Sequence, residues 1–307
     1  MRFFLLLLLF SFFNKANAQD TMAYTAQEVI YGRKDGMALT MVMLTPAAAN
    51  QRAIISTISG NWVSSHRGMD RWNKLGQIYL KKGYTVFNVI HSSQPRYSIQ
   101  DAAADIKRAV QFIRYNAAAY NVSPDYIGIV GASSGGHLSL MAGLADNKGN
   151  PKATDPVSQV SGKVQAVACF YPPTDFLNWG ATGVNPVMQK DFLQMMGVLG
   201  AFTFTAYDTV KKIYVAVTDT AKLNNIAKAI SPAQLVTPDD APVLIWHGDA
   251  DDVVPLQQVQ LLQQKMTALK IPCVLKVKSG ARHGWDKMEV EEADFVAWFD
   301  EHLRAKR

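Results

Sequence analysis

Cysteine is scarce in this chain: Cys169 and Cys273 are the only two among 307 residues. There is no C-x-x-C pair and no Cys/His cluster, so nothing points to a metal site and neither metal nor cofactor is expected. Charge is sparse as well, at 18% of residues, and the excess of +6 is spread without a Lys/Arg run or a basic stripe. Nucleic-acid binding therefore has no support, and the basic balance bears on solubility. Beyond the first few residues, no apolar run is long enough to span a bilayer. Internal repeats and low-complexity linkers are also missing. What remains is a globular composition, 49% hydrophobic, with enough apolar mass for a sizeable core.

The first residues stand apart. "MRFFLLLLLFSFFNKANAQD" opens with a short basic region at Arg2, continues with an apolar stretch from Phe3 to Phe13, and reaches a small-x-small site, "ANA", at 16 to 18. This is the pattern of a signal peptide over residues 1–18; the competing reading is an N-terminal membrane anchor. Its removal takes away Arg2 and Lys15 and no acid, lowering the net charge from +6 to +4. The mature protein is expected to start near Gln19, to be secreted or periplasmic, and to have no stable membrane insertion.

Past residue 19, strand patterns alternate with helix patterns. "EVIYGRKDGMALTMVML" holds two β-rich runs joined through Asp35-Gly36, a hairpin signal. Short apolar strands follow at "AIISTI", "YTVFNVI", "YIGIVG", "VQAVACFY", "APVLIWHG" and "PCVLKVKSG". Between them lie helical stretches. "SIQDAAADIKRAVQFIRYNAAAYNV" reads as one long helix, with Ile106, Val110 and Ile113 on one face. "PLQQVQLLQQKMTALK" and "DKMEVEEADFVAWFDEHL" are amphipathic. Such alternation predicts a mostly parallel twisted sheet with helices on both faces. Residues 176–230, rich in Phe, Met, Trp and Tyr, break the rhythm and read as a small helical cap inserted over the carboxyl edge of the sheet.

The candidate chemistry begins at "YIGIVGASSGGHLSL". Gly131, Ser133 and Gly135 alternate between a strand and a helix of small residues, the setting of a sharp turn that holds up a nucleophilic serine. The Ser134 N–H, at the helix start, is a natural donor to an oxyanion. Of six histidines, His283 in "SGARHGWD" lies between the last strand and last helix, at the edge Ser133 occupies. His137 and His247 read as packing residues, and His66 and His91 lie in loops near the same edge, within reach of a pocket. "HGDADDVVP" supplies Asp249, Asp251 and Asp252 to orient a base. A serine, an acidic turn and a late His-Gly loop occur in the chain order of the α/β-hydrolase triad.

With these motifs the chain resembles the α/β-hydrolase carboxylesterases, especially the bacterial branch related to feruloyl and acetyl-xylan esterases and to dienelactone hydrolases. The helix-strand-elbow segment from Asp101 to Leu140, "FYPPTDF" and "HGDADDVVP" carry the likeness over nearly the whole mature chain. The resemblance implies one α/β-hydrolase domain over residues 19–307, with Ser133 as nucleophile, His283 as base and Asp251, the D of H-G-x-x-D, as acid. The family's oxyanion loop falls on "ISGNWVSSHRG", where the family's usual H-G-G is replaced. Its backbone donors are then Gly60 and Asn61, with Ser134, while Trp62 and Trp179 shape the substrate pocket. In this fold the "VLIWHG" strand separates Cys169 from Cys273, so the two are expected to stay unpaired. The implied activity is hydrolysis of short-acyl or aromatic-acyl esters, with a small-molecule or carbohydrate substrate. Three alternatives stand beside it: a peptidase of the prolyl-oligopeptidase type, whose extra domain the chain length leaves no room for; a lipase-like esterase with residues 176–230 as lid; and a binding protein without turnover. The sequence does not set an oligomeric state.

Overall fold

Asp35 and Gly36 have backbone φ of 47° and 80°, the paired left-handed geometry of a two-residue hairpin turn. In the computed structural model, which describes residues 23–304, this turn joins β1 (Tyr24–Lys34) to β2 (Met37–Pro46) in antiparallel register. The leader expected at residues 1–18 lies outside the described residues. The chain then runs through β3 (Ala53–Ile58), α1 (Met69–Leu80), β4 (Thr85–Ile90), α2 (Ile99–Tyr115), β5 (Ile127–Ala132), α3 (Ser134–Leu144), α4 (Pro156–Gln159) and β6 (Ala166–Phe170). After α5 (Lys190–Met195), β7 (Thr205–Asp208), β8 (Ile213–Ala216) and α6 (Thr220–Ala229), it closes with β9 (Val243–Gly248), α7 (Gln257–Ala268), β10 (Cys273–Lys278) and α8 (Glu289–His302).

Eight strands form one sheet in the order β1-β2-β4-β3-β5-β6-β9-β10. β2 pairs antiparallel with β1 and β4, and every pair from β4 through β10 is parallel. The central strands β3, β4, β6 and β9 are buried on both faces, so their successive side chains enter different cores. Ile55, Phe87, Ile129 and Ile245 pack with α2, α3 and α7 residues such as Ile106, Leu138 and Val259. Ile54, Val86, Val130 and Leu244 pack with Tyr79 and Leu80 of α1 and Phe295 and Phe299 of α8. Truncating a ring such as Phe295 or Phe299 to alanine costs roughly 3–5 kcal/mol, because the cavity left behind does not collapse.

This strand order positions the site. The chain leaves β3 toward β4 on one side, and leaves β5 toward β6 on the other. The loops after β3 and β5 therefore diverge and open a crevice at the carboxyl ends of the strands.

Two details differ from the sequence reading, the end of the long helix and the make-up of the insertion, while the cysteines are as expected. The long helix stops at Tyr115, where the Asn116 side chain donates to the Phe112 carbonyl and turns take over. Its start is a reciprocal cap, with Ser98 and Asp101 each bonding the other's backbone. The insertion over residues 176–230 is not wholly helical: besides α5 and α6 it carries the β7–β8 hairpin. Thr, Tyr, Val and Ile at "TAYD" and "IYVA" favour extended backbone, and Lys212 at φ 53° turns the chain between them. Cys169 and Cys273 are free, with β9 between their strands.

Candidate active site

Ser133 sits at φ 52° and ψ −122° between β5 and α3. A bulkier residue rarely adopts this backbone, and holding serine there costs of order 1–3 kcal/mol. The flanking glycines make the turn possible. A Cβ on Gly131 would lie 2.4 Å from the Gly135 backbone, and one on Gly135 would lie 2.6 Å from the Thr57 carbonyl oxygen. The Ser133 N–H donates to the Phe170 carbonyl at 3.0 Å, tying the turn to β6.

Two loops bring the partners. His283, in the loop after β10, places Nε2 2.9 Å from Ser133 Oγ. Its Nδ1 lies 2.8 Å from Asp251 Oδ2, in the turn after β9. Asp251 Oδ1 accepts from the Val253 and Val254 N–H groups, each at 2.9 Å. Burial alone would raise the Asp251 carboxyl, but hydrogen bonds from His247, His283 and the Val254 N–H outweigh it and hold the group well below the ordinary carboxylate range. The other two acids of the turn are occupied elsewhere: Asp249 accepts from the Gly280 N–H at 2.6 Å, and Asp252 pairs with Arg282. The structure thus brings Ser133, His283 and Asp251 into one hydrogen-bonded line.

The loop after β3 is a tight turn. Asn61 and Trp62 both have positive φ, 51° and 55°, and Gly60 and Val63 bond each other's backbone across it. This corrects one expectation: the Gly60 N–H is committed to the Val63 carbonyl at 3.0 Å and is not free for a substrate. The Asn61 N–H has no acceptor among the described residues, and Asn61 lines the same pocket as Ser133 and Ser134. The Ser134 N–H, in the first turn of α3, lacks an intrahelical partner.

The pocket beside Ser133 is apolar and narrow. Trp62, Phe176, Trp179, Phe192, Met196 and Phe202 form its walls, all but Trp62 from the insertion or the segment leading into it. Its free volume is about 40 Å³. By the measure in which one water needs roughly 10–15 Å³, that is room for a few heavy atoms. Trp62 and Trp179 are therefore both pocket residues. Phe176 stacks on Trp179 and meets Trp62 at a tilt.

His137, buried in α3, accepts from Trp62 Nε1 at Nδ1 (3.3 Å) and donates from Nε2 to the Ile230 carbonyl (2.8 Å). Burial lowers its pKa to about 4, so the ring is neutral and braces the pocket wall. His91 and His66 do not line the pocket. His91 is buried against the Ser92 carbonyl, and His66 sits by Thr40 and Glu28.

Sequence reasoning passed over two residues. Tyr171, directly after β6, has φ 36° and lays its ring on His283, centroids 4.4 Å apart. Burial, with the nearby Asp251 charge, raises its phenol to about 12, so it stays protonated. Gln94 donates from Nε2 to the Asn61 and Gly197 carbonyls and accepts from the Ala201 N–H, which ties the loop after β3 to the insertion. "FYPP" and the loop after β4 marked the places without marking the roles.

Comparisons with known proteins agree with this geometry. Residues 41–266 match the BD-FAE family. The chain is 27% identical over 232 residues to the "Probable carboxylic ester hydrolase LipM" of Mycobacterium tuberculosis, covering 73% of this chain and 49% of that protein. It is 27% identical over 128 residues to the "Acetylxylan esterase" of Xylanibacter ruminicola, covering 40% of this chain and 25% of that one. The chain spans about half the length of the mycobacterial relatives it matches. A solved structure, "Truncated form of carbohydrate esterase from gut microbiota", superposes with a TM-score of 0.70 at 25% identity, covering 93% of this chain and 98% of that one.

Proposed function

This chain belongs to the BD-FAE family, and on that premise we propose that it is a serine carboxylesterase that hydrolyses short-acyl esters, with carbohydrate as the alcohol. The observation that carries the reading is the continuous line Ser133–His283–Asp251, with contacts of 2.9 and 2.8 Å. The relatives named as ester hydrolase, acetylxylan esterase and carbohydrate esterase support the reaction class and the sugar.

In the first half-reaction, Ser133 Oγ attacks the acyl carbon as its proton passes to His283 Nε2. The carbonyl oxygen becomes an oxyanion facing the Ser134 and Asn61 N–H groups. Such donors are already oriented when charge develops, which makes them one of the larger contributions to rate. His283 then gives its proton to the departing alcohol oxygen, leaving an acyl ester on Ser133. Water, deprotonated by His283, attacks that ester, and the proton returns to Ser133 Oγ as the acid leaves. Asp251 holds the Nδ1–H tautomer throughout and stabilises the transient imidazolium. The free volume of about 40 Å³ beside Ser133 supports acetyl-sized groups over long acyl chains. The apolar leader pattern over residues 1–18 supports action outside the cytoplasm.

Rapid acid quenching with an acetate ester, followed by mass spectrometry, tests the mechanism. Acetyl on the peptide bearing Ser133 is expected, and Ser133→Ala should lose several orders of magnitude in kcat while its circular dichroism is unchanged. Turnover retained in Ser133→Ala refutes the assignment.

A further inference from the structure

A second cavity lies on the other side of the catalytic loop. It is framed by α1, by the ends of β5 and β6, and by the segment from Trp285 to Glu292. Its free volume is about 440 Å³, against about 40 Å³ in the apolar pocket. That is within the range, roughly 300–1,000 Å³, of cavities that bury a drug-sized ligand. Gly131 and Ala132, the two residues before Ser133, line it, and so does Tyr171, whose ring lies on His283.

The reaction assigns the two cavities different halves of an ester. The acyl carbon is bonded to Ser133 Oγ, and the oxyanion faces Ser134 and Asn61, which lie in the narrow pocket. The leaving oxygen must face His283 Nε2, because that nitrogen protonates it. The alcohol is thereby directed to the His283 side; His283 does not itself line the larger cavity, but Tyr171, which packs on its ring, and Trp285, two residues on, both do.

Its walls combine flat rings with polar groups. Trp285 is held in place: Nε1 donates to Glu291 Oε2 at 3.1 Å, Glu291 in turn accepts from Lys278 at 2.7 Å, and the ring meets Phe170 and Tyr171 edge-on. Trp72 of α1 also lines the cavity. Arg71 and Glu292 add a guanidinium donor and a carboxyl. The Glu292 carboxyl is raised to about 7 by burial, then by the charge of Glu289, so near neutrality it both donates and accepts. An aromatic face for the C–H side of a pyranose, with donors and acceptors around it for hydroxyls, is a sugar site rather than a lipid site.

We infer that the cavity between α1 and the Trp285–Glu292 segment is the alcohol-side subsite, that it takes a single sugar ring of a carbohydrate ester, and that Trp72 and Trp285 are its specificity-determining residues. This rests on the esterase reading above. Occupancy places the leaving oxygen over His283 and lowers KM for sugar esters without touching the acyl pocket.

The test compares two acetates with the full-length protein. One is a monoacetylated methyl glycoside; the other is ethyl acetate, whose alcohol is too small to reach the cavity. Hydrolysis is followed by pH-stat for wild type, Trp72→Ala, Glu292→Gln and Trp285→Phe. Trp72→Ala is expected to lower kcat/KM for the glycoside at least tenfold, mainly through KM, and to leave ethyl acetate within twofold. Trp285→Phe keeps a ring and should lose less than Trp72→Ala. Equal losses on both esters in Trp72→Ala, or no loss on either, overturn the subsite. Wild type that cleaves ethyl acetate alone overturns the sugar. Wild type inactive on both overturns the esterase reading itself, and the subsite with it.

Discussion

His247 and His283 share one oxygen. His283 Nδ1 lies 2.8 Å and His247 Nε2 3.3 Å from Asp251 Oδ2, and both His247 and the carboxylate are fully buried. His247 Nε2 is also 2.9 Å from the Val254 carbonyl, and its Nδ1 has no partner among the described residues. An N–H on Nε2 satisfies both neighbours and leaves Nδ1 bare. Together with the Val253 and Val254 N–H groups, this surrounds Asp251 with donors that favour the ionised form.

His247 is therefore expected to act through Asp251. His247→Phe should lower kcat/KM in the wild-type background but change it little when Asp251 is already Asn. The double-mutant cycle should be non-additive by about 1–3 kcal/mol. Additive losses in kcat/KM would assign His247 a packing role only.

The acidic turn offers a discrimination by position. Asp251→Asn removes the acceptor that selects the His283 tautomer and should cost about 10⁴ in kcat. Asp249→Asn and Asp252→Asn alter the contacts to the Gly280 N–H and Arg282, and should stay within a few fold. A larger loss at Asp252 than at Asp251 would refute the assignment of the acid.

Glu292 sets a pH dependence of stability. Its folded pKa, about 7, is raised from 4.5 by burial first and then by Glu289. The folded state thus binds more protons than the unfolded state between these values, so its contribution is fully present below about 4.5 and is lost as pH rises through 7. Glu292→Gln should match wild type near pH 4.5 and exceed it by up to about 3 kcal/mol at pH 8. Urea unfolding at both pH values measures the difference; the same gap at each would mean that Glu292 is not protonated in the fold.

Acyl length should be limited by the narrow pocket. With one alcohol, kcat/KM is expected to peak at acetate or propionate and to fall by octanoate, as Phe176, Trp179 and Phe202 block longer chains. A maximum at octanoate or beyond would make the insertion a lid over an acyl groove.

Much of this was legible along the chain. Alternating strand and helix patterns carried the layered sheet, because short apolar runs and the 3.6-residue period are written locally. The Gly131–Ser133–Gly135 spacing carried the elbow, because only glycine fits where a Cβ would strike backbone. The resemblance to the H-G-x-x-D turn of the family singled out Asp251 among the three acids after His247. Other features depend on residues distant in sequence meeting in space. The β7–β8 hairpin was masked by a Phe/Met-rich stretch without clear alternation. Gly60 was a reasonable donor until Val63 folded back and took its N–H, a pairing that only the turn geometry decides. Tyr171 against His283, Gln94 between the β3 loop and the insertion, and His247 on Asp251 each join segments brought together at the carboxyl edge of the sheet. The local sequence determined which groups could do chemistry. Strand order and loop packing decided which of them are free to do it, because a hydrogen-bonding group is available to substrate only when no neighbour in the fold has already claimed it.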